Sequence, residues 1–132
     1  MSLRVLVSDD EASQREVLSA FLAHLGHSVL VAVDGDDAIQ TAQKERPDVV
    51  LLDLVMPKVN GLDVCRSLKL NSETKEIKVI MLTAIAQQSV VKLALQSGAD
   101  AYLFKPIGAQ DLASTLKTLF KTGVKGPRNP NS

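Results

Sequence analysis

The stretch VVLLDLVMPKVNG, residues 49–61, begins like a buried strand and continues as a charged loop. Four consecutive aliphatic residues, 49–52, are typical of a strand that is covered on both faces of a parallel sheet. The run stops at a carboxylate, Asp53, and Pro57 and Gly61 then favour a stiff loop that turns into the next element. A charge directly after a buried strand suggests a functional role for Asp53.

Short aliphatic runs alternate along the chain with longer segments whose apolar residues recur at helical spacing. The predicted strands are residues 5–7, 29–33, 49–52, 79–82 and 101–104. Because each run is almost entirely apolar, we expect both faces of every strand to be buried. Two helix faces are predicted from apolar spacing, one from Val17, Leu18, Phe21, Leu22 and Leu25, the other from Leu112, Leu116, Leu119 and Phe120. Strands that alternate with helices predict an α/β fold, a doubly wound sheet of five parallel strands with five helices.

The composition predicts one globular domain, residues 1–121, in a chain of 132 residues. Residues 122–132, rich in Gly, Pro and Asn, are interpreted as a flexible tail, a linker or an end added for expression. Fifteen basic residues balance fifteen acidic ones, which argues against nucleic acid as a partner of this segment. No apolar run approaches the roughly 20 residues needed to span a membrane. Without a signal-peptide pattern, and with Cys65 as the lone cysteine, the sequence predicts a cytoplasmic protein.

Polar side chains follow four of the predicted strands directly. Asp9 and Asp10 follow the first strand, Asp53 the third, Thr83 the fourth and Lys105 the fifth. The carboxyl ends of parallel strands meet at one edge of a doubly wound sheet, where ligands gather, so we expect a single site. The acidic pair also suits a helix N-terminus, and capping the first helix is the simpler alternative.

Three carboxylates in one site would repel one another unless a cation compensates them, because their reference pKa values are about 4. Carboxylate oxygens favour Mg²⁺ over zinc, and His24 and His27 flank a turn where they are expected to have no such role. Magnesium beside Asp53 would hold a phosphoryl group in line with the attacking oxygen. Asp53 is therefore predicted to be a nucleophile, with Lys105 and Thr83 contacting phosphoryl oxygens.

The chain resembles the receiver domain of two-component response regulators, of the chemotaxis-regulator type, over about residues 3–120. The residues that carry the resemblance are Asp9-Asp10, Asp53, Met56-Pro57, Gly61, Thr83-Ala84 and Lys105-Pro106. The resemblance implies a flavodoxin-like sheet with strand order 2-1-3-4-5. It also implies that a sensor histidine kinase or a histidine phosphotransfer protein donates a phosphoryl group to Asp53.

The resemblance further implies a role for each site residue. The implied magnesium ligands are Asp10, Asp53 and the backbone carbonyl of Val55, with Asp9 acting through water. The implied phosphoryl contacts are Lys105, the Thr83 hydroxyl and the backbone amide of Ala84. Pro57, Gly61 and Pro106 are structural, and the peptide bond before Pro106 is expected to be cis.

Thr83 and Tyr102 are the implied switch residues. Their movement would change the surface made by the fourth helix, the fifth strand and the fifth helix, which an unidentified effector would recognise. Homodimer formation on phosphorylation through the same surface stays open at this point.

Other functions compete with this interpretation. A phosphohydrolase of the haloacid dehalogenase type needs an acid two residues after its nucleophile, where this chain has Val55. A flavin-binding flavodoxin-like domain needs a phosphate-binding loop, whereas residues 8–13 carry negative charge. A pseudo-receiver that signals without phosphorylation normally lacks an acidic or lysine position. We expect a signalling module without enzymatic turnover, and slow self-hydrolysis because Val55 and Ile85 cannot orient water.

Overall fold

The computed structural model describes residues 2–121 and contains the predicted parallel sheet, with a helix after each strand. The strands are β1 (Arg4–Ser8), β2 (Ser28–Ala32), β3 (Val49–Asp53), β4 (Lys78–Thr83) and β5 (Ala101–Phe104). The helices are α1 (Ala12–His24), α2 (Gly35–Glu45), α3 (Gly61–Leu70), α4 (Gln88–Gln96) and α5 (Ala109–Leu119). The strand order β2-β1-β3-β4-β5 is the predicted one. Residues 122–132, the predicted tail, lie outside the described part of the chain.

Two hydrophobic cores lie on opposite faces of the sheet, because successive side chains of a strand point to opposite sides. The first core lies under α2, α3 and α4 and includes Leu6, Val50, Leu52, Val64, Leu68, Met81 and Ala94. The second lies under α1 and α5 and includes Val5, Val7, Leu18, Leu22, Leu51, Ile80, Leu82, Leu112 and Leu116. Strand β3 lies at the centre of the sheet and is buried at every residue. The site nucleophile predicted from the sequence therefore ends the most enclosed strand.

The expectation that every strand is buried on both faces is wrong for β2 and β5. Within residues 2–121, each of these strands lies at an edge of the sheet and pairs with one other strand, so its outer side is less covered. Val31 in β2 is 51% exposed and Phe104 in β5 is 43% exposed. The predicted face of α1 is also too wide, because Val17 and Leu25 at its margins are exposed.

Helix starts show which polar residues act as caps. Side-chain oxygens of Asp34 and Asn60 accept backbone N–H groups at the starts of α2 and α3, at 2.8 and 3.0 Å. Helix α1 begins after Glu11, without a side-chain cap, so the Asp9-Asp10 pair does not serve as its N-cap. None of the helices in residues 2–121 is long and apolar enough to cross a bilayer.

Candidate functional site

The predicted site residues converge at the carboxyl edge of the sheet. Asp53 and Thr83 are the last residues of β3 and β4, Asp9 follows β1 directly, and Lys105 follows β5. An open cavity of about 220 Å³ lies at this edge and is lined by Asp10, Glu11, Asp53, Val55, Thr83, Ala84, Ile85 and Lys105. Side chains that are far apart in the sequence thus surround one space, as the strand ends predict.

Three carboxylates form an acidic cluster, and two of them, Asp10 and Asp53, line this cavity. Asp9, Asp10 and Asp53 each present an oxygen, and these oxygens lie within 4.8 Å of one another. Asp9 and Asp53 are buried, whereas Asp10 is exposed. Hard oxygen donors with one solvent-accessible side suit Mg²⁺, which keeps several waters when it binds to proteins. The donor set therefore fits the predicted ion.

Lys105 forms ion pairs with two members of the acidic cluster. Its Nζ lies 3.1 Å from Asp9 Oδ2 and 3.3 Å from Asp53 Oδ1. Burial lowers the pKa of Lys105, but the hydrogen bond and charges of the two carboxylates outweigh that effect and raise it overall. Lys105 is therefore a fixed positive charge at the cavity wall.

The pKa of Asp53 is raised from its ordinary value of 3.8 to about 6. Burial is the largest cause and the negative charge of Asp9 is the second, while Lys105 and the Val55 amide act in the opposite direction. The positive charge of Lys105 thus does not fully offset the cost of ionising Asp53 in this site. The carboxylate of Asp53 would gain from a further cation.

Backbone hydrogen bonds fix the strand ends around the cavity. The peptide bond between Lys105 and Pro106 is cis, as the resemblance implies. The Lys105 amide donates to the Thr83 carbonyl at 2.8 Å, and the Thr83 Oγ1 accepts the Ile85 amide at 2.9 Å. Because that oxygen acts as an acceptor here, the Thr83 hydroxyl keeps its own proton for another partner.

The loop after β3 folds back over the strand end. The Val55 amide donates to Asp53 Oδ1 at 3.3 Å, and the Gly61 amide donates to the Leu54 carbonyl at 2.8 Å. A Cβ at position 61 would lie only 2.4 Å from the Asp53 carbonyl oxygen, so the close approach requires glycine. The side chain of Val55 is 65% exposed and lines the mouth of the cavity.

A family model of the response regulator receiver domain matches residues 5–117. The chain belongs to the response regulator receiver domain family. It is therefore similar to the signalling modules of two-component systems, as its motifs indicate.

Relatives and solved structures agree with this assignment. The DNA-binding response regulator MtrA of Mycobacterium leprae is 41% identical over 96% of this chain, which covers 55% of that protein. The chain spans about half the length of the curated relatives it matches. The chemotaxis response regulator CheY4 of Vibrio cholerae has a TM-score of 0.85 and 31% identity, over 90% of this chain and 99% of that one.

A further solved structure bears on the metal. The receiver domain of the sensor histidine kinase PA1611 from Pseudomonas aeruginosa has a TM-score of 0.85 and 28% identity. The match covers 92% of this chain and 100% of that one, and that structure is described with a magnesium ion coordinated in its active site cleft. In that receiver domain, this fold is thus combined with a magnesium ion in the active site cleft.

The structure shows one cavity residue and two contacts around the receiver site to which the sequence interpretation assigned no role. Glu11 lines the cavity, and Arg15 Nη1 donates to the Asp9 carbonyl at 2.7 Å. The Ser8 hydroxyl donates to Met56 Sδ at 3.4 Å. Arg15 lies one helical turn after Glu11, the residue that precedes α1, so its position near the site could have been predicted from that spacing. The partner of Ser8 could not, because it is 48 residues away in the sequence.

Other predicted residues lie outside the cavity of the receiver domain. Tyr102 lines a separate groove of about 810 Å³ along α4, and its ring centroid lies 5.5 Å from that of Phe104. His24 ends α1, and His27 accepts the Leu3 amide through Nδ1 at 3.0 Å. Neither histidine is among the residues that line the site.

Proposed function

We propose that this receiver domain accepts a phosphoryl group on Asp53 from the phosphohistidine of a sensor histidine kinase or a histidine phosphotransfer protein. One observation carries the proposal. The carboxylate of Asp53 ends a buried strand beside an open cavity, 3.3 Å from the Lys105 ammonium and close to two further carboxylates. This carboxylate is held in place, and groups suited to phosphoryl oxygens surround the space in front of it.

Mg²⁺ is part of the proposal. The carboxylates of Asp10 and Asp53 and the backbone carbonyl of Val55 would hold the ion, and Asp9 would act through a water molecule. Three carboxylates and one lysine leave two negative charges, which a divalent cation balances. When bound, Mg²⁺ neutralises charge on the oxygens of the phosphoryl group.

The proposed transfer forms a bond between an Asp53 oxygen and phosphorus and breaks the bond between phosphorus and the donor histidine nitrogen. The imidazole leaves as a neutral ring when its other nitrogen carries a proton. Lys105 neutralises charge on one phosphoryl oxygen, and the Thr83 hydroxyl and the Ala84 amide donate hydrogen bonds to others. The bond from the Ile85 amide to Thr83 Oγ1 supports this role, because it orients the hydroxyl without using its proton.

Thr83 and Tyr102 are the proposed switch residues. The Tyr102 ring borders the groove along α4, so a rotation of the ring would change the surface made by α4, β5 and α5. A downstream effector, whose identity stays open, would recognise the changed surface. Phosphorylation-dependent homodimers through this surface and a cytoplasmic location both stay predictions.

The proposed activity is self-catalysed phosphotransfer followed by slow autodephosphorylation, without enzymatic turnover. Val55 and Ile85 line the cavity and are partly or largely exposed, and neither carries a group that could orient an attacking water. Val55 also stands where a phosphohydrolase of the haloacid dehalogenase type needs an acid. A pseudo-receiver is disfavoured because the acidic cluster and Lys105 are both present and in contact.

Phosphorylation of the purified protein tests the proposal. Acetyl phosphate with Mg²⁺ should add one phosphoryl group to the wild type, seen in the intact mass, and none to Asp53→Asn. Asp63→Asn is the matched control, because Asp63 lies exposed in the first turn of α3, and it should react like the wild type. No mass change in the wild type would contradict the proposal and favour a pseudo-receiver. Steady hydrolysis of para-nitrophenyl phosphate would favour a phosphohydrolase.

A further inference from the structure

Ser8, the last residue of β1, forms an unusual buried hydrogen bond. Its side chain is fully buried and lies on the same face of the sheet as Leu6, since side chains alternate along the strand. The hydroxyl donates to the thioether sulfur of Met56 at 3.4 Å. Thioether sulfur is a weak acceptor, whereas the buried hydroxyls of Thr74 and Ser97 donate to backbone carbonyls at 2.7 and 2.6 Å. The contact therefore joins the end of β1 to the loop after β3.

That loop contains the proposed carbonyl ligand of the magnesium ion, Val55. The Val55 side chain is largely exposed to solvent, so it cannot anchor the backbone. Its two neighbours are buried instead. The Leu54 amide is held by the Leu82 carbonyl at 2.8 Å, and Met56 packs into the first core. The peptide group between Val55 and Met56 is thus fixed on one side by a backbone bond and on the other by the Met56 side chain.

Methionine by itself is a poor anchor, because its unbranched side chain has three rotatable bonds and adapts to its surroundings. A hydrogen bond to the sulfur selects one arrangement of that side chain. We propose that Ser8 is a positioning residue, which orients the Val55 carbonyl for Mg²⁺ by holding Met56. The inference rests on the proposed function, since it takes the Val55 carbonyl as a magnesium ligand. Ser8 itself touches neither the ion nor the phosphoryl group.

Magnesium affinity in a set of variants tests this inference. Titration calorimetry should show that Ser8→Ala binds Mg²⁺ about two- to threefold more weakly than the wild type, the equivalent of one weak hydrogen bond. Met56→Leu keeps the volume but lacks the sulfur acceptor, so it should weaken binding similarly. The double variant should be no weaker than either single variant, because both changes remove the same contact.

Ser97→Ala is the matched control. Ser97 is also buried, so this variant removes one buried hydroxyl, as Ser8→Ala does. Ser97 lies at the C-terminal end of α4 and is not among the residues that line the cavity. This variant should bind Mg²⁺ like the wild type. A similar loss of affinity in Ser97→Ala would show that any buried hydroxyl has the effect and would overturn the inference.

A second measurement needs no metal. The Val55 amide donates to Asp53 Oδ1, so its hydrogen exchange reports on the order of the loop. In metal-free protein, Ser8→Ala should speed exchange of this amide severalfold, and Ser97→Ala should not. If Ser8→Ala binds Mg²⁺ as tightly as the wild type and its Val55 amide exchanges at the wild-type rate, the positioning role is overturned and the proposed function stays intact. Absence of Mg²⁺ binding in the wild type, or equal binding by Asp53→Asn, would overturn both.

Discussion

Replacing Asp53 by asparagine should make the metal-free protein more stable, although it removes the proposed phosphoacceptor. The folded state raises the pKa of this carboxyl from 3.8 to about 6, so the folded protein disfavours the ionised form. At 1.36 kcal/mol per pH unit, that difference corresponds to about 3 kcal/mol of stability lost when the group is ionised. Asparagine has nearly the same shape and no charge, so the free energy of unfolding should rise by about this amount at pH 8.

The pH dependence gives the sign of the effect. A raised pKa means that the folded state binds the proton more tightly than the unfolded chain does. The destabilisation by ionised Asp53 is therefore complete above pH 6, decreases as the pH falls, and disappears below 3.8, where the carboxyl is protonated in both states. The difference in stability between Asp53→Asn and the wild type should be large at pH 8 and small at pH 4.

Urea unfolding in the presence of EDTA, followed by circular dichroism at both pH values, measures this difference. Asp63→Asn serves as the control, because the removal of an exposed surface charge should change stability by less than about 0.5 kcal/mol. Saturating Mg²⁺ should stabilise the wild type more than Asp53→Asn, so the difference in free energy of unfolding between the two proteins should become smaller. If Asp53→Asn is no more stable than the wild type in EDTA at pH 8, the explanation of the site by charge repulsion is wrong.

Three further predictions concern the same edge of the sheet. Val55→Asn combined with Ile85→Glu should speed loss of the phosphoryl group on the order of tenfold or more, because polar groups orient water; unchanged decay of the phosphoprotein mass would refute this. Mg²⁺ should bind about tenfold more weakly at pH 5 than at pH 7, because Asp53 must lose its proton; equal calorimetric affinities would contradict it. Gly61→Ala should lower the free energy of unfolding by about 1–3 kcal/mol. Gly108→Ala, whose Cβ would meet only a side-chain oxygen at 3.5 Å, should change the urea midpoint far less; equal losses would argue against the steric explanation.

The centre of the fold and the candidate site follow from local sequence features. The apolar run before Asp53 predicts a strand buried on both faces, and β3 is buried throughout. Parallel pairing then brings the residues after each strand to one edge, whatever their distance in the sequence. This is why the sequence alone predicts that Asp9, Asp53, Thr83 and Lys105 lie together.

Exposure at the sheet edges could not be predicted in the same way. The apolar runs of β2 and β5 resemble that of β3, but burial depends on how many strands lie beside each one. Val31 and Phe104 are exposed because they lie in the edge strands of the sheet that residues 2–121 form, not because their own segments differ in composition. The contact between Ser8 and Met56 could not be predicted either. The two residues are 48 positions apart in the sequence, and their contact depends on the rotamers of both side chains.

The positions of β3 and β5 in the sheet suggest how phosphorylation would reach the output surface. The proposed nucleophile ends β3, whose complete burial resists displacement. Lys105 follows β5, a four-residue strand at the sheet edge, and its amide is bonded to the Thr83 carbonyl. A phosphoryl group on Asp53 would replace the Asp53 carboxylate as a partner of the Lys105 ammonium, would compete with Asp9 for it, and would attract the Thr83 hydroxyl. Both shifts act on β5, because Lys105 follows this strand and its amide is bonded to Thr83. Strand β5 also carries Tyr102 and is less buried than β3, so we expect the structural change to appear in β5 and not in β3.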